Sequence, residues 1–197
     1  MKLKTKDMIL VGIFAALAVV GAKISIPIPP VPVTLQLFVC CFAGMLLGSR
    51  LGLLSQVVYI LLGLVGLPVF AGASSGPAYI LSPTFGYVIG FALAAYTVGK
   101  VSEISRNFNI KIAALSVYSG IAVTYLIGVP YMYFIIKLYM GKNITVMYAI
   151  EKGLLPFIVK DILLGALLTI TAAAAVPALI KSGLYKKSAN SGSSQKS

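Results

Sequence analysis

Residues 156–165, "PFIVKDILLG", set a lysine and an aspartate side by side, Lys160 and Asp161, in a run that is otherwise almost wholly apolar. A charged side chain at the centre of a bilayer costs about 2.5–3.5 kcal/mol even on the lenient insertion scale. The surroundings of this pair therefore decide the fold. Of the 197 residues, 59% are hydrophobic and only 10% are charged, with a mean hydropathy of +1.01. A soluble domain carries about a quarter charged residues, so the chain reads as an all-α integral membrane protein.

Working outward from that run, six apolar stretches stand out, at about residues 8–24, 35–48, 51–66, 83–101, 112–138 and 154–180. The second and third are short for a hydrocarbon core of about 30 Å, and a hairpin that does not fully cross is the alternative there. Extension into the flanking turns favours two spans, joined by "SR" at Ser49 and Arg50. The basic start "MKLKTK" is followed by an apolar run that lacks a small-residue cleavage site, so it reads as the first span and not as a signal peptide. With six spans and the N-terminus inside, eleven of the 16 Lys and Arg are cytoplasmic. The other five, Lys23, Lys137, Lys142, Lys152 and Lys160, lie toward the outside, and this bias predicts both termini in the cytoplasm. The expectation is one six-helix membrane domain over residues 1–180. A polar, Ser-rich tail, 181–197, is expected to be disordered. On this topology Lys160 and Asp161 sit about 10 Å below the outer end of the last span.

Composition also excludes chemistries. There is no His, and the acidic residues are Asp7, Glu103, Glu151 and Asp161, too few for a metal site or a Ser-His-Asp arrangement. The adjacent Cys40 and Cys41 read as small packing residues. A net charge of +12 matches an anionic cytoplasmic leaflet better than a nucleic acid, because the basic residues flank apolar spans.

Two outer connections are unusual. Residues 25–36, "SIPIPPVPVTLQ", are proline-rich and held extended. Residues 66–87, "GLPVFAGASSGPAYILSPTFGY", are too long for a minimal turn and carry Val69, Phe70, Tyr79 and Ile80, which favours a packed lid. Thr34, Gln36, Ser82, Thr84 and Tyr87 share the depth of the charged pair. Ser82 before Pro83 reads as an N-cap, and Thr34 could cap the second span. Lys160 and Asp161 point about 100° apart on a helix and do not face each other. They form either a ligand site or a neutral pair that tethers the helix to a neighbour, and ionisable groups in membranes favour the former. In the first span Gly12 and Ala16, and Ala18 and Ala22, repeat at four-residue spacing, which serves internal packing or docking on another membrane protein.

The runs "PIPPVPVTLQ", "GMLLGSRLGLLSQVVYILLGLVGLPVFAG" and "SPTFGYVIGFALAAY", with "YLIGVP" and the "PF…KD" segment, resemble the BioY family. These are biotin-specific substrate-binding (S) components of energy-coupling factor (ECF) transporters. The resemblance implies six membrane helices, an outward-facing biotin site, and a prokaryotic cell-membrane location. It implies no ATPase activity or cofactor in this chain, with energy supplied by a transmembrane T component and two cytoplasmic ATPases. It also implies that Gly12, Ala16, Ala18 and Ala22 contact the T component. In the family pattern a lysine follows the last-span aspartate by three residues. Here that position is Leu164, and Lys160 lies one turn away on the same face.

Biotin's chemistry agrees with the residue inventory. An ionised Asp161 accepts from the ureido N–H groups, and Lys160 answers the carboxylate or the ureido oxygen. Gln36 both donates and accepts, while Tyr79 or Tyr87 covers the ring. The rival classes are a proton-coupled secondary transporter of a small organic acid with Asp161 as proton carrier, an intramembrane enzyme, and a purely structural membrane subunit.

Overall fold

The computed structural model describes residues 3–72, 74–104 and 108–181; residues 182–197 of the expected tail, and Arg106, lie outside them. Helix α1 (Thr5–Lys23) starts where the Asp7 carboxylate accepts the Lys4 N–H at 3.1 Å, and it ends on a lysine. Acid first and base last complement the helix dipole. The prolines then forbid helix, and the chain turns through an antiparallel hairpin, β1 (Ser25–Ile26) and β2 (Val33–Thr34), with Ser25 opposite Thr34 and a cis bond between Pro29 and Pro30.

Helices α2 (Gln36–Leu47) and α3 (Ser49–Leu64) are separated by Gly48 alone. Its φ of +82° is a left-handed conformation that glycine adopts without a Cβ clash. The expected "SR" joint is thus displaced. Ser49 and Arg50 already belong to α3, because the Glu103 carboxylate accepts the Ser49 N–H at 2.7 Å and satisfies the exposed N-terminus.

A 3₁₀ turn over Pro77–Leu81 precedes α4 (Phe85–Ile104). The expected cap at Ser82 is corrected here. The helix starts later, with the Thr84 carbonyl accepting from Tyr87 and Val88. The Ser82 hydroxyl pairs with that of Thr84 at 2.6 Å and accepts the Thr84 N–H at 3.4 Å, while the Ser82 N–H donates to the Tyr79 carbonyl at 3.0 Å and closes the preceding turn.

Helix α5 (Ile110–Phe134) continues into a π turn at Ile135–Tyr139. A short helix not anticipated from sequence, α6 (Val146–Gly153), leads into α7 (Leu155–Lys181). Thr145 caps α6 by accepting the Tyr148 N–H at 3.1 Å, a signal that eight residues were too few to make legible beside the long spans.

Helix α4 lies centrally, packed on α2, α3 and α5. Small residues permit the approach: a Cβ on Gly52 would sit 2.8 Å from the Gly44 Cα, and one on Gly90 would sit 2.9 Å from the Thr124 carbonyl. One core joins Leu37, Met45, Val98, Val117, Leu168 and Val176 across α2, α4, α5 and α7. A second gathers Ala18, Ala22, Tyr59, Phe70, Tyr79 and Phe85 at the far end of α1.

Four helices, α1, α4, α5 with its extension, and α7, are long and apolar enough to cross a membrane. The 12 residues of α2 and 16 of α3 reach about 18 and 24 Å. The small residues of α1 divide. Gly12 and Ala16 are exposed, whereas Ala18 and Ala22 are fully buried in the second core. The helix turns those two pairs to different faces, so Ala18 and Ala22 serve packing and are unavailable to a partner.

Candidate functional site

The connections at one end of the bundle line a partly open cavity, a concave site of the kind that takes small ligands. Its walls come from the hairpin (Val31, Pro32, Thr34), the start of α2 (Gln36, Leu37), Ala71 and Tyr79. The start of α4 contributes Thr84, Tyr87 and Val88, α5 contributes Thr124 and Tyr125, and α7 supplies Phe157, Lys160 and Asp161. Seven of the eight expected ligand residues therefore meet in one place. Ser82 is the exception, since it lies behind Thr84 and does not line the space.

Asp161 is 5% exposed and lines a largely apolar chamber. Its Oδ2 accepts from the Tyr125 hydroxyl, and its Oδ1 lies 2.7 Å from the Lys160 ammonium. The expectation that the two neighbours do not face each other is corrected by this ion pair. The Cβ directions do diverge, but the four-carbon lysine stem swings the ammonium back across the carboxylate. Lys160 also donates to the Thr34 carbonyl at 2.6 Å, which joins the hairpin to α7. Two of its three N–H donors are thereby used, and the third remains for a ligand.

Gln36 is 2% exposed, and its side-chain Nε2, close to the Tyr59 phenol, makes no hydrogen bond of good geometry. A buried amide without a well-formed donor bond is destabilising by about 1–3 kcal/mol, and its residue lines the cavity. Thr34 Oγ1 accepts the Gln36 backbone N–H at 3.3 Å, while Leu35 takes the capping position. Tyr87 is held by donation to the Gly153 carbonyl at 2.7 Å, so the short helix α6 braces a cavity wall. Tyr79 stacks on the fully buried Phe70 at 4.2 Å and accepts from the Thr84 hydroxyl at 3.1 Å. Burial raises the Tyr79 phenol above its ordinary range, against a smaller opposite effect of the Thr84 bond, which keeps it neutral and able to donate.

Sequence reasoning missed Tyr125 and Phe157. Tyr125 had a signal, a phenol inside an apolar span whose hydroxyl requires a partner. Phe157 had none, since its ring is one apolar side chain among many until the helices are assembled. Chemically, the chamber offers a carboxylate, an ammonium, a buried amide and aromatic walls. It suits a small, largely apolar molecule bearing both N–H donors and an acceptor.

Known proteins share this architecture. The probable biotin transporter BioY of Pyrococcus horikoshii is 43% identical over 170 residues, covering 86% of this chain and 96% of that protein. The biotin transporter BioY of Thermotoga maritima is 39% identical over 158 residues, 80% of this chain and 88% of the relative. Among solved structures, the crystal structure of an S-component for biotin from an ECF-type ABC transporter superposes with a TM-score of 0.68 at 25% identity. It covers 89% of this chain and 95% of that one. The family model described as BioY family matches residues 1–181. With that match spanning nearly the whole chain and relatives of this closeness, the chain belongs to the BioY family.

Proposed function

We propose that this protein is a biotin-binding S component of an ECF-type transporter, a multi-pass subunit of the prokaryotic cell membrane that captures the vitamin and is energised by partners. The observation that carries the reading is the convergence of a buried carboxylate, Asp161, and a buried amide without a well-formed donor bond, Gln36, in one largely apolar cavity. Asp161 accepts from the ureido N–H groups, displacing or sharing the Tyr125 contact. Gln36 Nε2 and the third Lys160 donor address the ureido oxygen or the carboxylate, with Thr34 and Thr84 as adjacent polar walls. Tyr79, Tyr87 and Phe157 cover the thiophane ring. Exclusion of water strengthens each polar contact.

In the membrane, α1 to α5 and α7 make six crossings, with both termini cytoplasmic by the Lys and Arg bias. The two short helices reach the interface with help from Gly48 and the outer connections. The cavity then opens outward. The exposed Gly12 and Ala16 on α1 form the face for a transmembrane T component, which in turn carries two cytoplasmic ATPases. A proton-coupled carrier is the less favoured reading, given the S-component neighbour.

Calorimetric titration of the purified protein with biotin tests the proposal. Saturable binding at micromolar protein is expected. Asp161→Asn and Lys160→Ala each lower affinity by at least about tenfold, the effect of one charge-assisted hydrogen bond. No heat from the parent protein sinks the binding function, whereas full affinity in both variants sinks the site assignment alone.

A further inference from the structure

Lys23 lies outside the cavity, and none of the roles above uses it. It is the last residue of α1, and its ammonium donates to the Phe70 carbonyl at 3.0 Å and more weakly to the Gly72 carbonyl at 3.5 Å. A lysine in a last helical turn ordinarily serves its own helix's carbonyls. This one instead holds a segment 47 to 49 residues further along the chain. Ala71, between the two accepting carbonyls, lines the cavity. Phe70 is fully buried, stacked on Tyr79 with rings 14° from parallel and edge-on to Tyr59 at 5.6 Å. Holding Phe70 in place therefore fixes both Ala71 and Tyr79, two parts of the same wall.

The same end of α1 also touches the opposite wall. The Gly21 carbonyl accepts the Leu35 N–H at 3.1 Å, and a Cβ on Gly21 would lie 3.2 Å from the Gln36 Cα. Within three residues, α1 meets the backbone of Gln36 on one side and the Phe70–Gly72 segment on the other. The first joint is close backbone packing with no slack. The second is an exposed lysine bonding two carbonyls, a joint that opens more easily than close backbone packing.

We propose that Lys23 is a positioning residue of the ligand site: its ammonium holds the Phe70–Gly72 segment against the cavity, and losing it lets the ligand escape faster. The inference rests on the biotin reading for its ligand and on the Lys23 geometry for its mechanism. It assigns a function to the end of α1, where composition alone showed a flanking charge.

The test follows release of labelled biotin from the full-length protein in lipid nanodiscs after a chase with unlabelled ligand. Lys23→Met is expected to release about tenfold faster with little change in association, because most of a local contact's effect lies in dissociation. Lys23→Arg, which keeps the donors, is expected within about twofold of the parent. Lys137→Met, removing an exposed lysine that bonds Tyr133 one turn away, is expected to match the parent. An unchanged release rate in Lys23→Met overturns the proposal and leaves biotin binding standing. If the parent retains no biotin, the function proposed above fails, and hydrogen–deuterium exchange decides Lys23 by itself. Faster exchange over residues 69–72 in Lys23→Met supports the role, and unchanged exchange overturns it.

Discussion

Gln36 shows most plainly how a single residue trades stability for recognition. Its amide donor is buried beside the Tyr59 phenol without a hydrogen bond of good geometry, an arrangement that a fold selected only for stability would replace with carbon. Gln36→Leu conserves most of the volume and removes that donor. The unliganded variant is expected to gain about 1 kcal/mol, read as a higher thermal midpoint, while biotin affinity falls about tenfold by calorimetry. A variant that is both less stable and unchanged in affinity would show that the amide is structural. Asp161 differs in kind, because Tyr125 and Lys160 already engage it. Removing Lys160 leaves a buried carboxylate short of a counter-charge, so part of any loss in Lys160→Ala is destabilisation and not lost ligand contact. Lys160 is thus both of the things that the sequence left open, a tether to Thr34 and a candidate ligand donor.

At the scale of elements, the turn between α2 and α3 is built by a residue far away in sequence. Glu103, near the end of α4, accepts from the Ser49 N–H at 2.7 Å and from its hydroxyl at 2.9 Å. One carboxylate thereby caps α3 and pins the turn to α4, with its negative charge at the positive end of the α3 dipole. Glu103→Ala is expected to lower stability by about 1–2 kcal/mol, measured by thermal unfolding. Biotin affinity should stay within about twofold, because the cap lies at the opposite end of α2 from Gln36, about 18 Å away at helical rise. A large affinity loss with intact stability would assign Glu103 to the ligand site. Helix α6 makes the converse point: only eight residues long, it positions Tyr87 through the Gly153 carbonyl, although nothing in its own sequence marks it as part of a site.

At the scale of the molecule, the proposed six-crossing topology makes a direct prediction. Cys40 and Cys41 are buried, so a single introduced cysteine reports its own side of the membrane. Lys142→Cys is expected to react with an impermeant maleimide in intact cells, and Lys100→Cys only after permeabilisation. The reverse pattern would invert the orientation and place the cavity on the cytoplasmic side.

Much of this organisation was legible beforehand. Apolar stretch lengths mark α1, α4, α5 and α7 because lipid demands continuous hydrophobic helix. The prolines mark the hairpin because they cannot continue a helix, and Asp161 stood out because a charge in an apolar span requires a reason. What the sequence could not contain was which side chains meet. The Lys160 swing onto Asp161, the partner role of Tyr125, the burial of Ala18 and Ala22, and the reach of Lys23 to Phe70 all depend on side-chain paths between distant residues. By itself the sequence determined the solvent, the long helices and the expensive charge, since each follows from local composition and backbone chemistry. Only the tertiary structure decided the contacts that make a binding site of them, because those are set by long-range packing and not by neighbours in the chain.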